Sequence, residues 1–104
     1  MNSFGISEQS LFLIFNVFRT NQKIKQAVIF GSRAKGNYKS GSDIDLALKG
    51  DLNQKDITDL TVELNERLPI PYKVDLVLYD LDLHAELKEH IDRVGVEFWS
   101  PEKK

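Results

Sequence analysis

Two short apolar runs with a polar gap between them constrain this chain more than anything else in it. The first, Ala27 to Phe30, stops at Gly31-Ser32, and ten residues later the second opens on Asp43-Ile44-Asp45. The first run is β-rich, and Asp43 to Leu48 reads as a second strand closed by Gly50. Between them, residues 33–36 read as a turn of helix and Asn37 to Ser42 as a polar loop. Strand side chains alternate, so Asp43 and Asp45 project to one face while Ile44 and Leu46 project to the other. Two carboxylates about 5 Å apart, in an effective dielectric of about 20, repel by roughly 3 kcal/mol. A strand keeps such a pair where solvent, a cation or a function offsets the repulsion.

The flanking segments complete an alternating pattern. Ser7 caps a helix running to about Asn21, with Leu11, Ile14, Phe15 and Phe18 on one face. Asn53 caps a helix to Leu68 through Ile57, Leu60 and Leu64, and Pro69 and Pro71 break it. Lys73 to Tyr79 is a third strand, with a lone acid, Asp75, inside Val74–Leu78. Asp80-Leu81-Asp82 reads as the capping turn of a last helix marked by Leu83, Leu87, Ile91 and Val94. Gly95 ends that helix in a left-handed cap, and Val96 to Trp99 adds a short edge strand. The order α-β-(α)-β-α-β-α implies an α/β fold, a small mixed sheet with helices packed on it.

Placing the third strand beside the second brings Asp75 to Asp43 and Asp45, the hard-oxygen set that Mg²⁺ prefers. Three carboxylates can hold two Mg²⁺ ~3.5–4 Å apart, as nucleotidyl transfer requires. At Gly31-Ser32 a strand gives way to a helical turn, where backbone N–H groups, a hydroxyl and an absent side chain let a phosphate approach. Arg33 and Lys35 add cations. Phosphate cradle and metal acids together make a nucleoside triphosphate site.

Composition narrows the alternatives. One hundred and four residues is one domain's worth of chain, so 1–104 is expected to be a single domain. An apolar share of 41% and a charged share of 29% exclude disordered and fibrous classes. No cysteine is present, so disulfides and thiolate metal sites are excluded, and a reducing compartment fits. The N-terminus MNSFGISEQ lacks a basic region, and the longest apolar run is Leu11 to Phe15, so neither a signal peptide nor a membrane span is expected and a cytoplasmic location is. From Gln9 to Ser42 there are six bases and no acid, which leaves −8 on the remainder for a net charge of −2. That asymmetry gives a local field for an anion, yet no basic stripe with interleaved aromatics marks a nucleic-acid binder. A phosphate-binding loop of the Gly-x4-Gly-Lys kind fails, because Asn37 follows Gly36. His84 and His90 lie six apart, off a common helix face, and read as solvated residues with no zinc site. The first helix is apolar nearly all round, with Phe12, Leu13 and Val17 off its inward stripe. A homodimer or a helical partner would cover them.

The combination of Gly31-Ser32, ten residues, Asp43-x-Asp45 and the strand acid Asp75 resembles the nucleotidyltransferase superfamily that includes DNA polymerase β. Within it, GSRAKGNYKSGSDIDLAL and the brevity of the chain resemble the minimal nucleotidyltransferases, over about residues 20–99. The resemblance implies the nucleotidyltransferase fold, with Gly31 and Ser32 on the triphosphate of ATP and Arg33 as the basic residue commonly found after the serine. It implies Asp43, Asp45 and Asp75 as catalytic acids and Mg²⁺ ligands, Asp75 also helping to deprotonate the incoming hydroxyl. It further implies an antitoxin role beside a small helical HEPN protein, with AMP moved from ATP to a tyrosine of that partner. A catalytically idle binding subunit, or transfer to a small molecule such as an aminoglycoside, are the alternatives.

Overall fold

The computed structural model describes residues 4–102. Ser7 accepts the Ser10 N–H and starts α1, Glu8–Arg19. β1, Ile24–Phe30, leads directly into a short helix α2, Gly31–Lys35, and β2 follows over Ile44–Gly50. Asn53 and Asp56 form a reciprocal capping box that starts α3, Gln54–Val62. That helix runs on into a π-helical turn, Glu63–Arg67, and stops at Leu68, whose backbone is extended ahead of Pro69. β3 spans Val74–Leu78, α4 Ala85–Val94 and β4 Val96–Trp99. Among the described residues no helix is long and apolar enough to cross a membrane.

The four strands form one mixed sheet in the order β3-β2-β1-β4. β1 is antiparallel to β2 and β4, while β2 and β3 run parallel, joined by the α3 crossover. Strand alternation then divides the apolar residues between two layers. Ile29, Ile44, Leu46, Leu48, Val74, Leu76 and Leu78 face one way and pack with Ile14 and Phe18 of α1 and Ile57, Leu60 and Leu64 near α3. Val28, Phe30 and Ala47 face the other way and meet Ile91 of α4, flanked by Val77, Leu87 and Val94.

Four sequence expectations are corrected. β1 begins at Ile24 rather than Ala27: polar Lys25 and Gln26 mask its start, where a register shift lets Ile24 pair with Gly50. The cap of α4 is His84, whose Nδ1 accepts the Glu86 N–H at 3.3 Å, and Asp80 instead holds the preceding turn by accepting the Asp82 N–H. Gly95 is extended, φ −66° and ψ 144°, not left-handed. Its missing side chain is a matter of space, since a Cβ there would collide with the Ile91 carbonyl and come within 2.6 Å of Val28 Cγ1. On α1, Val17 packs partly against the core and Leu13 is half-buried, so Phe12, 60% exposed, is left as the apolar residue facing out.

One contact fixes where β3 starts. Asn65, in the π-helical turn, accepts the Val74 N–H and donates to the Val74 carbonyl, both at 2.8 Å, and donates again to the Thr61 carbonyl at 2.9 Å. A side-chain amide thus pairs with an edge strand as another strand would. Asn65→Ala is expected to cost about 2 kcal/mol, on the order of 10 °C in Tm for a domain of this size. An unchanged thermal melt would show that water replaces the amide at no cost.

Candidate active site

The site grows from the polarity of one strand face. Asp45 occupies the same face of β2 as Ala47, and Asp75 the same face of β3 as Val77, one pair beyond the apolar contacts with α4. Register puts Asp45 directly beside Asp75 in the parallel ladder. Asp43 lies just before β2 rather than within it, exposed, between the loop and the strand. Its charge still reaches Asp45. Burial pushes the Asp45 carboxyl above its ordinary range, the charges of Asp75 and then Asp43 push it further, and His90 opposes them.

Gly31 forms the floor beside this carboxylate. Phe30 pairs with Asp45 across the β1–β2 ladder, so the next residue of the chain is brought up against it. The backbone of Gly31 is left-handed at φ +74°, and a Cβ built on it would overlap Asp45 Oδ2 and lie 3.2 Å from Cγ. Gly31 is therefore required twice, by conformation and by the closeness of Asp45. Ser32 follows in the first turn of α2, partly exposed.

The structure brings together Gly31, Ser32, Asp43, Asp45 and Asp75, all of them read from the sequence. Arg33 is elsewhere. It was expected on the departing phosphates, but it is 1% exposed and donates to the carbonyls of Phe4, Gly5, Ser40 and Ser42. All five of its N–H donors are spent on the protein's own backbone, so it has none to offer a phosphate.

His90 was missed. Far from being solvated, it is half-buried with its ring edge-on to Phe30, centroids 6.0 Å apart, and its charge is felt at Asp45. The signal was present: His90 lies three residues after Leu87 and one before Ile91, on the flank of the buried stripe of α4.

Among the described residues no group of three or more Asp, Glu or His is drawn tightly enough together to hold a metal ion. The donor chemistry nevertheless fits a divalent cation: three hard-oxygen ligands, two of them adjacent, with mutual repulsion that a cation would relieve. Opposite lies a glycine at close approach, with a hydroxyl next in the chain. What such an arrangement can do is bring an anionic group and a cation against one carboxylate pair.

Comparison with known proteins gives the family and the fold. A family model described as polymerase beta, nucleotidyltransferase, matches residues 13–104. No curated protein matches significantly. Solved structures do. A toxin–antitoxin crystal structure with AMP-PNP superposes with a TM-score of 0.68 at 22% identity, over 93% of this chain and 76% of that one. A tri-AMPylated HEPN toxin in complex with the MNT antitoxin, from Shewanella oneidensis, gives 0.65 at 22% identity, over 89% and 71%. The MntA–HepT toxin–antitoxin gives 0.65 at 23% identity, over 90% and 73%. These likenesses establish the fold, and the family model spans nearly all of the sequence that builds it. The chain belongs to the polymerase beta nucleotidyltransferase family.

Proposed function

We propose that this chain is a Mg²⁺-dependent nucleotidyltransferase that moves AMP from ATP to a hydroxyl of a helical HEPN-type partner, a tyrosine by family resemblance, and so acts as an antitoxin. The observation that carries the reading is the adjacency of Asp45 and Asp75 in register, with Gly31 pressed against Asp45. Similarity to a toxin–antitoxin structure with AMP-PNP, and to one whose toxin is AMPylated, supports the donor and the partner.

The reaction is an in-line displacement. The acceptor oxygen bonds to the α-phosphorus of ATP, the bond to the bridging oxygen breaks, and pyrophosphate leaves. Gly31 admits the departing phosphates to close approach, and the Ser32 hydroxyl donates to them. Asp43, Asp45 and Asp75 would hold two Mg²⁺, with Asp75 also drawing the proton from the acceptor. When bound, the cation supplies neutralising charge at the phosphates and lowers the acceptor's pKa. Exposed Phe12 on α1 offers an apolar contact to a helical partner.

The test is incubation with ATP labelled in the α-phosphate, Mg²⁺ and the HEPN-type partner. Label is expected on the partner, with pyrophosphate released in equal amount. Ser32→Ala is expected to raise KM for ATP by roughly tenfold to a hundredfold, the worth of one hydrogen bond to a charged group. Absence of both label and pyrophosphate overturns the enzymatic reading and leaves an idle binding subunit.

A further inference from the structure

Arg33 is a buried cation for which the proposed reaction has no use. Its guanidinium carbon lies over the rings of both Tyr38 and Tyr72, 5.0 and 5.1 Å from their centroids. No ion pair among the described residues includes it. A charge taken out of water without an opposite charge is costly, and full donation to carbonyls and aromatic faces is what makes it tolerable here.

The carbonyls it holds belong to two segments far apart in sequence. Nη1 donates to Phe4 and Gly5, at 2.8 and 3.3 Å. Nη2 donates to Ser40 and Ser42, at 3.4 and 2.8 Å, and Nε to Ser42 again at 3.1 Å. The doubly held carbonyl is that of the peptide just before Asp43. The next N–H, of Ile44, is held by the Lys73 carbonyl at 2.9 Å. Asp43 therefore sits between two pinned peptides, and since a peptide is planar, fixing both leaves its backbone little freedom. The geometry points to Arg33 as a positioning residue that fixes Asp43 for metal binding and, through the same fork, makes the segment Phe4–Gly5 part of the frame of the site.

Metal affinity is then coupled to the seating of a segment that touches no metal ligand. Gly5 is left-handed at φ +71° and abuts Tyr38, and a Cβ there would overlap the ring, with Cζ and the hydroxyl oxygen at 2.6 Å. Displacing Tyr38 uncovers Arg33, and a loosened Arg33 frees the turn that delivers Asp43. Lysine cannot replace the arginine, because a single ammonium cannot span four carbonyls on two segments.

This inference rests on the reading of Asp43 as a metal ligand, so three measurements are made on full-length Arg33→Lys and Gly5→Ala. The first is Mn²⁺ affinity without nucleotide, the second is hydrogen exchange at the Ile44 amide, which the Lys73 carbonyl holds, and the third is ATP affinity in EDTA. Both variants are expected to weaken Mn²⁺ binding about tenfold and to speed exchange at the Ile44 amide while the β1 amides stay protected. Gly5→Ala carries the test if Arg33→Lys fails to fold. Unchanged exchange at Ile44 overturns the positioning role. Faster exchange with Mn²⁺ affinity unchanged overturns the coupling to metal. Weaker ATP binding in EDTA, with Mn²⁺ binding unchanged, would return Arg33 to the phosphates. Wild-type protein that binds no Mn²⁺ would instead refute the reading of the carboxylates, and the exchange arm would still judge the positioning role alone.

Discussion

Asp45→Asn is expected to reduce nucleotidyl transfer by roughly a thousandfold or more, the loss of several kcal/mol of transition-state charge stabilisation. The metal-free variant should melt at the same temperature as the wild type or slightly above it. Both effects have one origin. The Asp45 carboxylate is partly buried and faces the charges of Asp75 and Asp43, so its ionised form is disfavoured in the folded chain. Asparagine keeps the shape and removes the charge. The pH dependence has a definite sign. The folded chain holds the Asp45 proton more tightly than the unfolded chain does. Stability from this group is therefore complete below the ordinary aspartate range and is lost as pH rises through the higher folded value. In EDTA, the advantage of Asp45→Asn over wild type should widen as pH climbs from about 4 toward neutrality. A large fall in Tm for the metal-free variant would make Asp45 a structural residue and end the metal reading.

Gly31→Ala should be nearly as damaging to transfer, and Gly36→Ala shows why. Both glycines are left-handed, at φ +74° and +85°. Alanine at either costs roughly 1–2 kcal/mol of backbone strain, visible as a lower Tm. At Gly36 the new methyl meets nothing within 4 Å. At Gly31 it meets the Asp45 carboxylate, which must move or force the β1–α2 junction away. The expected result is a lower Tm in both variants, with Gly31→Ala destabilised at least as much as Gly36→Ala. Transfer should fall on the order of a hundredfold in Gly31→Ala alone, the penalty for displacing a reacting group by about 1 Å. Equal activities would mean that the glycine serves the turn and nothing more.

The sequence made the carboxylates legible because strand alternation and β2–β3 adjacency are both backbone rules. Ile44 and Leu46 had to be buried, so Asp45 had to face the other way, and an apolar strand with one acid had a single sensible partner. Arg33 was misread for the same reason that the motif was readable. A cation beside a phosphate turn suits an anion, and nothing local reveals that carbonyls at positions 4, 5, 40 and 42 converge on it in three dimensions. Asn65 was invisible because its partner, Val74, is a backbone and not a residue type. His90 escaped because only the placement of α4 over Phe30 brings it near Asp45. Contacts made through main-chain atoms, or across the sheet, are those that pattern reading does not reach.

The parallel pairing of β2 with β3 has a bearing on when this site exists at all. β1 and β2 are joined by a short excursion, so Gly31, Asp43 and Asp45 can meet once that antiparallel pair closes. Asp75 arrives from thirty residues beyond Asp45, after the capped helix and its π-helical turn have formed. Contacts at such separation pay the larger closure entropy and form late on the way to the native state. A chain with only the β1–β2 pair formed would hold Gly31, Asp43 and Asp45 together but not Asp75. The three carboxylates are thereby brought together only when β3 docks on β2.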